Sequence, residues 1–373
     1  TLRCNHPVVR NTVLDCLRHW VMEFHVDGFR FDLASVLGRG DDGALLAAPP
    51  LLEQIAEDPI LRDAKLVAEA WDAAGAYQVG TFPGGRWSEW NGRFRDDVRR
   101  FWRGDPGMAA AFATRLCGSA DLYQRPGRCP VCSVNFVTSH DGFTLADVVS
   151  YRHKHNEANG EGNRDGSGES WSDNNGFEGP TPDPAIMALR ARQARNAIAT
   201  LFLSRGVPML LGGDEFARTQ GGNDNAWCQD NETSWYDWRL VEAHRDLHRF
   251  TAGLIALRRR HEVLRRQEFY TDPDLAWLAP GGGTPRWTDP DMRAVGCHVR
   301  VPDARPLCLL FNAGTREEVF EVPPLPSGRH WRLAIDTSLS PPHDLPPPGE
   351  EPQLPKEHTC QLRDRSLAVL IAE

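Results

Sequence analysis

Apolar positions follow two different periods along the first 262 residues, and the two periods alternate. Residues 7–24 repeat apolar side chains at the spacing of a helix, and residues 26–33 then alternate apolar and polar side chains as a strand does. The same patterns predict strands at 65–70, 133–139 and 207–211, and helices at 51–57, 94–102 and 186–202. Strands that alternate with helices favour a parallel sheet with helical crossovers, either a (β/α) barrel or a doubly wound sheet.

From about residue 263 the pattern changes to short alternating runs that proline and glycine separate. Residues 294–301, 307–311 and 366–371 are such runs, and they predict an antiparallel β-sandwich over residues 263–373. The first domain then covers residues 1–262. Within it, residues 155–184 are rich in Asn, Gly, Asp and Glu without periodicity, which indicates either a disordered insertion or a functional loop over a site.

Composition narrows the classes of function that this chain can have. Its 373 residues carry a net charge of -9 and no long run of Lys or Arg, which argues against nucleic acid or an anionic membrane as partner. No stretch of 18 apolar residues is present to cross a membrane. The nine cysteines include one C-x-x-C pair, Cys129 and Cys132, so we expect structural thiols, no disulfide framework, no metal site and a reducing, cytoplasmic location.

Asp32 ends the first predicted strand, next to a cation. The period-two alternation sends Gly28, Arg30 and Asp32 to one face, at the carboxyl end of a strand, where barrel enzymes keep their chemistry. We expect Arg30 to hold Asp32 ionised, as a nucleophilic carboxylate requires. A purely structural ion pair would produce the same pattern.

Two later strands also end in an acid. Glu69 follows an apolar strand, whose surroundings are expected to raise the pKa of its carboxyl and suit it to act as a general acid. Asp141 follows the strand at 133–139, and Asp32, Glu69 and Asp141 are 37 and 72 residues apart in turn. One βα unit takes about 30 residues, so the spacing predicts adjacent strands for the first two acids and a strand two further on for the third, with the skipped strand near 87–91. Acids around one barrel mouth match glycoside hydrolysis.

The segments GFRFDLA, LVAEAW and VTSHDGFTL resemble, in this order, the second, third and fourth signature regions of the α-amylase superfamily. Carried over position by position, the resemblance makes Asp32 the nucleophile, Glu69 the general acid/base and Asp141 the transition-state stabiliser. It also matches Arg30 and His140 to the groups that contact the nucleophile and the sugar. The implied reaction is a retaining double displacement.

Longer stretches narrow the resemblance to bacterial glycogen-debranching enzymes of the isoamylase type. They are HPVVRNTVLDCLRHWV, KHNEANGEGNRDG and GGDEFARTQGGNDNAWCQDNETSWYDW. The family implies cleavage of α-1,6 branch linkages in glycogen, limit dextrin or amylopectin, without a cofactor. Its first signature region, D-x-V-x-N-H, is absent here, so residues 1–262 are expected to supply about five of the eight strands of a TIM-type (β/α)8 barrel. We therefore expect an upstream segment, and little activity from this chain alone.

Aromatic residues near the predicted strand ends offer flat apolar faces that match the C–H face of glucose. Trp71 and Trp227 adjoin polar positions, so we expect them to bind substrate, whereas Trp235 and Tyr236 are interpreted as packing residues. The segment Gly-Gly-Asp-Glu-Phe at 212–216 also spells a diguanylate cyclase signature. Its place after the last predicted strand of the first domain favours a loop that turns toward the barrel mouth.

Two rival functions remain open at this level. The same three acids serve α-1,4-glucan hydrolysis or glucan transfer within the superfamily, because linkage preference depends on the shape of the loops. A rival from another class is an inactive protein that binds glycans without cleaving them. The pattern of residues defines neither the preferred branch length nor the oligomeric state.

Overall fold

Five short strands pair in chain order into one parallel sheet in the computed structural model, which describes residues 2–124, 127–302, 304–354 and 358–373. Their bounds are β1 Gly28–Phe31, β2 Lys65–Ala68, β3 Ser88–Trp90, β4 Ser133–Asn135 and β5 Val207–Pro208. Each neighbouring pair is parallel. The strand predicted at 87–91 is present as β3, and it lies between β2 and β4 as the spacing of the acids requires.

Helices lie between successive strands except between β2 and β3, where residues 69–87 contain no helix although the alternating pattern predicts one. Their bounds are α1 Pro7–Phe24, α2 Pro50–Glu57, α3 Gly92–Arg103, α4 Ala109–Leu116, α5 Ala120–Tyr123, α6 Leu145–Val148, α7 Pro184–Leu203, α8 Leu240–Ala243 and α9 Arg245–Arg260. The long helix α7 begins where the side chain of Asp183 accepts hydrogen bonds from the backbone N–H groups of Ala185 and Ile186, which the helix itself leaves without a partner. No helix within the described ranges is both long enough and apolar enough to cross a membrane.

The strands that follow α9 form two antiparallel sheets. Their bounds are β6 Leu275–Leu278, β7 Ala294–Val299, β8 Leu307–Asn312, β9 Glu318–Glu321, β10 Trp331–Asp336, β11 Thr359–Leu362 and β12 Ser366–Ala372. The larger sheet has the order β10-β12-β8-β7-β6, and β11 pairs with β9 in the smaller one. Every residue of β7, β8 and β12 is buried, because both faces of the larger sheet are covered.

The larger antiparallel sheet packs one face on helices of the first 262 residues. On β8, Leu309 and Phe311 join a hydrophobic core with α3, α4, α7 and α9, while Leu310 points to the smaller sheet and contacts the cluster of Phe320. The rings of Phe112 on α4 and Phe311 lie 5.0 Å apart in an edge-to-face arrangement. The helices that surround the parallel sheet are therefore supported from outside by the β-sheet domain.

The polar segment 155–184 folds against the rest of the protein. The carboxylate of Glu178 accepts hydrogen bonds from the backbone N–H of Arg152 and of His153, both at 2.9 Å at their shortest. Asp224 accepts one from the amide of Asn156 at 2.7 Å and one from the backbone N–H of Ser167 at 3.1 Å. Burial opposes ionisation of Glu178, but the hydrogen bonds from Arg152 and His153 outweigh it and lower the pKa of Glu178 to about 2, so this carboxylate stays ionised and holds the segment in place.

Candidate active site

The carboxyl ends of β1 and β2 bring Asp32 and Glu69 together. Phe31 and Ala68, the last residues of the two strands, are partners in the parallel register, so the acids that follow them are neighbours. The backbone N–H of Glu69 donates to the carbonyl of Phe31 at 3.0 Å, and the N–H of Ala34 donates to the carbonyl of Glu69 at 2.8 Å. The ladder thus continues past both acids and fixes their relative position.

Arg30 joins the two acids. Its Nη1 lies 2.6 Å from Oδ1 of Asp32, and its Nη2 lies 3.2 Å from Oε1 of Glu69. The pair between Arg30 and Asp32 was predicted from the strand alternation, whereas the contact with Glu69 was not. The guanidinium also lies 4.3 Å from the ring centre of Trp90, which ends β3, so a cation–π contact holds it from a third strand. One cation therefore organises two carboxyl groups at the same sheet edge.

The two acids differ in their surroundings. The side chain of Asp32 is 72% exposed and that of Glu69 only 4% exposed. Burial raises the pKa of Glu69, and the charges of Asp32 and Asp141 add to this effect, while a hydrogen bond of 2.6 Å from the backbone N–H of Leu33 and the charge of Arg30 oppose it. An accessible carboxylate thus lies beside a buried carboxyl whose proton is held more tightly than usual.

His140 and Asp141 lie beyond the end of β4. The Nε2 of His140 lies 3.5 Å from Oδ2 of Asp141, and both side chains are more than half exposed. The imidazole of His140 meets the ring of Trp90 edge to face, with 5.8 Å between the ring centres. Trp90 therefore contacts both Arg30 and His140, and it links the two acid-bearing segments. We did not single out Trp90 from the sequence, although its place at the end of a predicted strand was a usable signal.

A cavity of about 410 Å³ lies beside the segments that follow β2, β3 and β4, and Arg30, Asp32 and His140 are not among the residues that line it. It is lined by Glu69, Trp71, Tyr77, Trp90, Asp141 and neighbouring side chains. The rings of Trp71 and Tyr77 stack nearly in parallel, with centres 6.1 Å apart and an angle of 11° between them. The structure thus places Trp71 beside Glu69 and Asp141, with an aromatic wall that can receive a sugar ring.

Trp227, Trp235 and Tyr236 lie outside this cavity. Trp227 is 82% exposed and does not line this cavity, although its loop approaches the site where the carbonyl of Asp224 accepts a hydrogen bond of 2.9 Å from Gly142 N–H. Trp235 and Tyr236, interpreted as packing residues, are 57% and 42% exposed. That interpretation was wrong, because their segment runs over the surface after the last strand of the parallel sheet rather than into the core.

Asp214 is a residue that sequence reasoning missed. Its carboxyl is fully buried and accepts hydrogen bonds from the hydroxyl of Thr138 and from the backbone N–H of Leu145, at 2.9 Å for the latter. Thr138 and Leu145 flank His140 and Asp141 in the chain, so one carboxyl ties down both ends of that segment. An acidic residue behind two glycines at a strand end was the signal available.

The chemical content of the site consists of carboxyl groups, one guanidinium, one imidazole and aromatic rings. In the described part of the chain, no group of three or more His, Cys, Asp and Glu side chains is arranged to hold a metal ion. All nine cysteines are free thiols. Retaining glycoside hydrolases use two neighbouring carboxyl groups in different surroundings, and here an exposed carboxyl group lies beside a buried one whose pKa is raised.

Solved structures of other proteins resemble this chain over nearly its whole length. No family model matches the chain. The pullulanase from Bacillus acidopullulyticus aligns with 98% of this chain and 40% of its own, with a TM-score of 0.70 at 23% identity. The type I pullulanase from Bacillus subtilis aligns with 98% of this chain and 46% of its own, with a TM-score of 0.69 at 21% identity. The chain therefore shares the fold of these pullulanases over nearly its whole length.

Other known proteins are more similar to this chain in sequence than the pullulanases are. The chain is 47% identical over 352 residues to isoamylase 3 of Oryza sativa, which covers 94% of this chain and 44% of the relative. It is also 47% identical over 365 residues to a glycogen operon protein GlgX homolog of Mycobacterium tuberculosis, with coverage of 91% and 50%. The chain is thus similar over most of its length to isoamylases and glycogen-debranching proteins, and the resemblance drawn from its signature segments is confirmed. It spans about half the length of these relatives.

Proposed function

We propose that this protein hydrolyses α-1,6 branch linkages of glycogen or a related branched α-glucan, with retention at the anomeric carbon. The observation that carries the proposal is the Arg30 guanidinium, which holds the exposed carboxylate of Asp32 beside the buried carboxyl of Glu69. The names of its relatives, isoamylase and glycogen debranching enzyme, support the choice of linkage and substrate. The chemistry requires only carboxyl groups and water, so it needs no cofactor.

In the first step, a carboxylate oxygen of Asp32 attacks the anomeric carbon while the bond to the branch oxygen breaks. Glu69 donates its proton to that departing oxygen, and its raised pKa keeps the proton available. In the second step, Glu69 takes a proton from water, the water oxygen attacks the same carbon, and Asp32 is released. In retaining enzymes the two carboxyl groups lie about 5 to 5.5 Å apart. Two carboxyl groups that contact the same guanidinium, as Asp32 and Glu69 contact that of Arg30, are compatible with such a separation.

The remaining predicted residues are assigned to substrate binding. Asp141 lines the cavity and the Nε2 of His140 lies 3.5 Å from Oδ2 of Asp141, and both residues would hydrogen-bond sugar hydroxyls and stabilise charge in the transition state. Trp71 lines the cavity beside Glu69 and would stack on a glucose ring. Trp227, exposed on the neighbouring loop, would contact a more distant part of the glucan.

We infer that the five parallel strands are the C-terminal part of a (β/α)8 barrel within residues 1–262, followed by a β-sandwich domain at 263–373. The strand order and the shared fold with the pullulanases support this inference. A barrel would place the three acid-bearing strand ends around one mouth. The free thiols support a reducing compartment, which we take to be the cytoplasm.

The test is the release of reducing ends from glycogen and from amylose by the protein that carries this sequence. We expect linear oligosaccharides from glycogen and little attack on amylose. Glu69→Gln should lower the rate about 10²-fold to 10⁴-fold while glycogen binding persists, because proton transfer is lost and the shape of the site is kept. Glu23→Gln, on the exposed side of α1, is the matched control and should leave the rate unchanged. Faster attack on amylose would favour an α-1,4 activity, and unchanged turnover in Glu69→Gln would refute its role.

A further inference from the structure

Residues 70–78, between β2 and β3, form a hairpin in the part of the chain where the alternating pattern predicts a helix. The backbone N–H of Gln78 donates to the carbonyl of Ala70 at 2.6 Å, and Trp71 and Tyr77 are paired across the hairpin. The rings of these two residues stack, and both line the cavity of the candidate active site. One short hairpin therefore supplies the aromatic wall of that cavity.

The carboxylate of Asp72 holds the loop of this hairpin. Its side chain is fully buried, and its Oδ1 accepts hydrogen bonds from the backbone N–H groups of Ala74 at 2.9 Å and Ala76 at 3.1 Å. The guanidinium of Arg39 donates to the same carboxylate from Nε at 2.7 Å and from Nη2 at 3.0 Å. The hydrogen bonds from Arg39 lower the pKa of Asp72, so this buried carboxylate stays ionised and paired.

Arg39 belongs to the segment that follows β1 and carries Asp32. Arg39 does not line the cavity, and its side chain is 22% exposed. The ion pair thus fastens the hairpin after β2 to the segment after β1. Backbone hydrogen bonds separately join the segments of Asp32 and Glu69. The positions of the two acids and the position of the aromatic wall therefore depend on different contacts.

We propose that Arg39 and Asp72 are positioning residues that set the affinity for the glucan, because they hold Trp71 and Tyr77 in the wall of the cavity. The choice of a glucan as ligand rests on the proposed function. Loss of the ion pair releases the hairpin, while the backbone hydrogen bonds between the segments of the two acids remain. Substrate binding should therefore weaken and the chemical step should be kept.

The first test is the steady-state kinetics of glycogen debranching by the full-length protein that carries this sequence. Arg39→Gln and Asp72→Asn should each raise KM about threefold to tenfold, as expected when one stacked aromatic contact is weakened, with kcat changed by about twofold at most. Arg39→Lys keeps the charge and should restore most of the affinity.

The double variant Arg39→Gln with Asp72→Asn shows whether the two residues act through each other. Its KM should be no higher than that of either single variant, because both substitutions remove the same interaction. Asp72 itself lines the cavity and is able to contact the substrate directly. A further rise of KM in the double variant would show such a direct contact and would overturn the positioning role.

The matched control is the ion pair of Asp58 with Arg18, which does not line the cavity. The side chain of Asp58 is 3% exposed, and its carboxylate accepts two hydrogen bonds from Arg18, at 2.6 and 2.9 Å, and two from the backbone N–H groups of Ile60 and Leu61. Asp58→Asn should lower the thermal midpoint about as much as Asp72→Asn does and leave KM unchanged. An equal rise of KM in Asp58→Asn and Asp72→Asn would trace the effect to lost stability and overturn the proposal.

Amide hydrogen exchange tests the hold on the hairpin independently of activity. Arg39→Gln should accelerate exchange within residues 70–78, whereas Arg18→Gln should leave it unchanged. Equal exchange in the wild type and Arg39→Gln would overturn the proposal even if glycogen is cleaved. If the wild type does not act on glycogen, the proposed function fails and the role in glucan affinity fails with it, while accelerated exchange in Arg39→Gln would still support the hold of Arg39 on the hairpin.

Discussion

Asp214 should make the stability of this protein depend on pH in a way that Asp214→Asn removes. Its carboxyl is 1% exposed and accepts hydrogen bonds from Thr138 and Leu145, which flank His140 and Asp141. Asparagine has nearly the same shape and carries no titrating proton. The substitution therefore tests the charge state of this carboxyl with little change in packing.

The size of this pH dependence follows from the burial of the Asp214 carboxyl group. Desolvation raises the pKa of Asp214 from 3.8 to about 7, against the hydrogen bonds from Thr138 and Leu145 that favour the charged form. The folded state therefore prefers the protonated acid, and the stability that this preference contributes is present below pH 3.8 and lost as the pH rises to about 7. A difference of this size corresponds to about 4 kcal/mol. With asparagine at this position, no stability is lost in this way as the pH rises.

The assay is urea unfolding of the wild type and Asp214→Asn at several pH values between 4 and 7.5. The free energy of unfolding of the variant relative to the wild type should rise with pH, by up to about 4 kcal/mol in total. Asp63→Asn, a substitution at a side chain that is 91% exposed, is the control and should show no such trend. A difference that stays constant with pH, or that falls as the pH rises, would refute the reasoning.

Three further predictions concern the acids and a buried histidine. A fluoro-sugar that traps the covalent intermediate should label Asp32 in the active protein and fail to label Asp32→Asn, and mass-spectrometric detection of the label on Asp141 would reverse the two roles. Arg30→Gln removes a cation from beside Glu69, so the pKa of Glu69 should rise further. The basic limb of the pH–rate profile should then move to higher pH. A shift of that limb to lower pH would contradict a charge interaction between Arg30 and Glu69. Burial lowers the pKa of His261 from 6.5 to about 4, so the stability that it contributes is present above pH 6.5 and is lost as the pH falls toward 4, by up to about 3 kcal/mol. The stability of His261→Gln should fall less than that of the wild type as the pH drops from 6.5 to 4. Thermal midpoints that fall equally in both proteins would contradict this prediction.

The strand ends were predictable because their evidence is local. Period-two alternation placed Arg30 and Asp32 on one face, and the apolar run before Glu69 indicated a buried strand that ends in an acid. The direction of the pKa shift of Glu69 followed from the same apolar neighbours, and burial in the structure gives that direction. The separation of the acids along the chain also located the intervening strand β3.

Local pattern was a poor guide to the aromatic residues. Trp235, Tyr236 and Trp238 have the composition of core residues, yet they lie exposed on a surface segment. Whether a large aromatic side chain is buried depends on which elements cover it, and those elements are distant in sequence. The same holds for β7, β8 and β12, whose unbroken burial reflects helices on one face and a second sheet on the other.

The amino-acid sequence by itself indicated the strands of the parallel sheet, the acids that end three of them and the family of proteins that they resemble, because strand periodicity and signature segments are properties of neighbouring residues. The contact of Arg30 with Glu69, the position of Trp90 between Arg30 and His140, and the hold of Asp214 on the segment of His140 were decided only by the tertiary structure. Each joins strands or loops that are far apart in the chain. Such contacts depend on how the strands pair and on the free-energy cost of burying a charged group, and a local sequence pattern indicates neither.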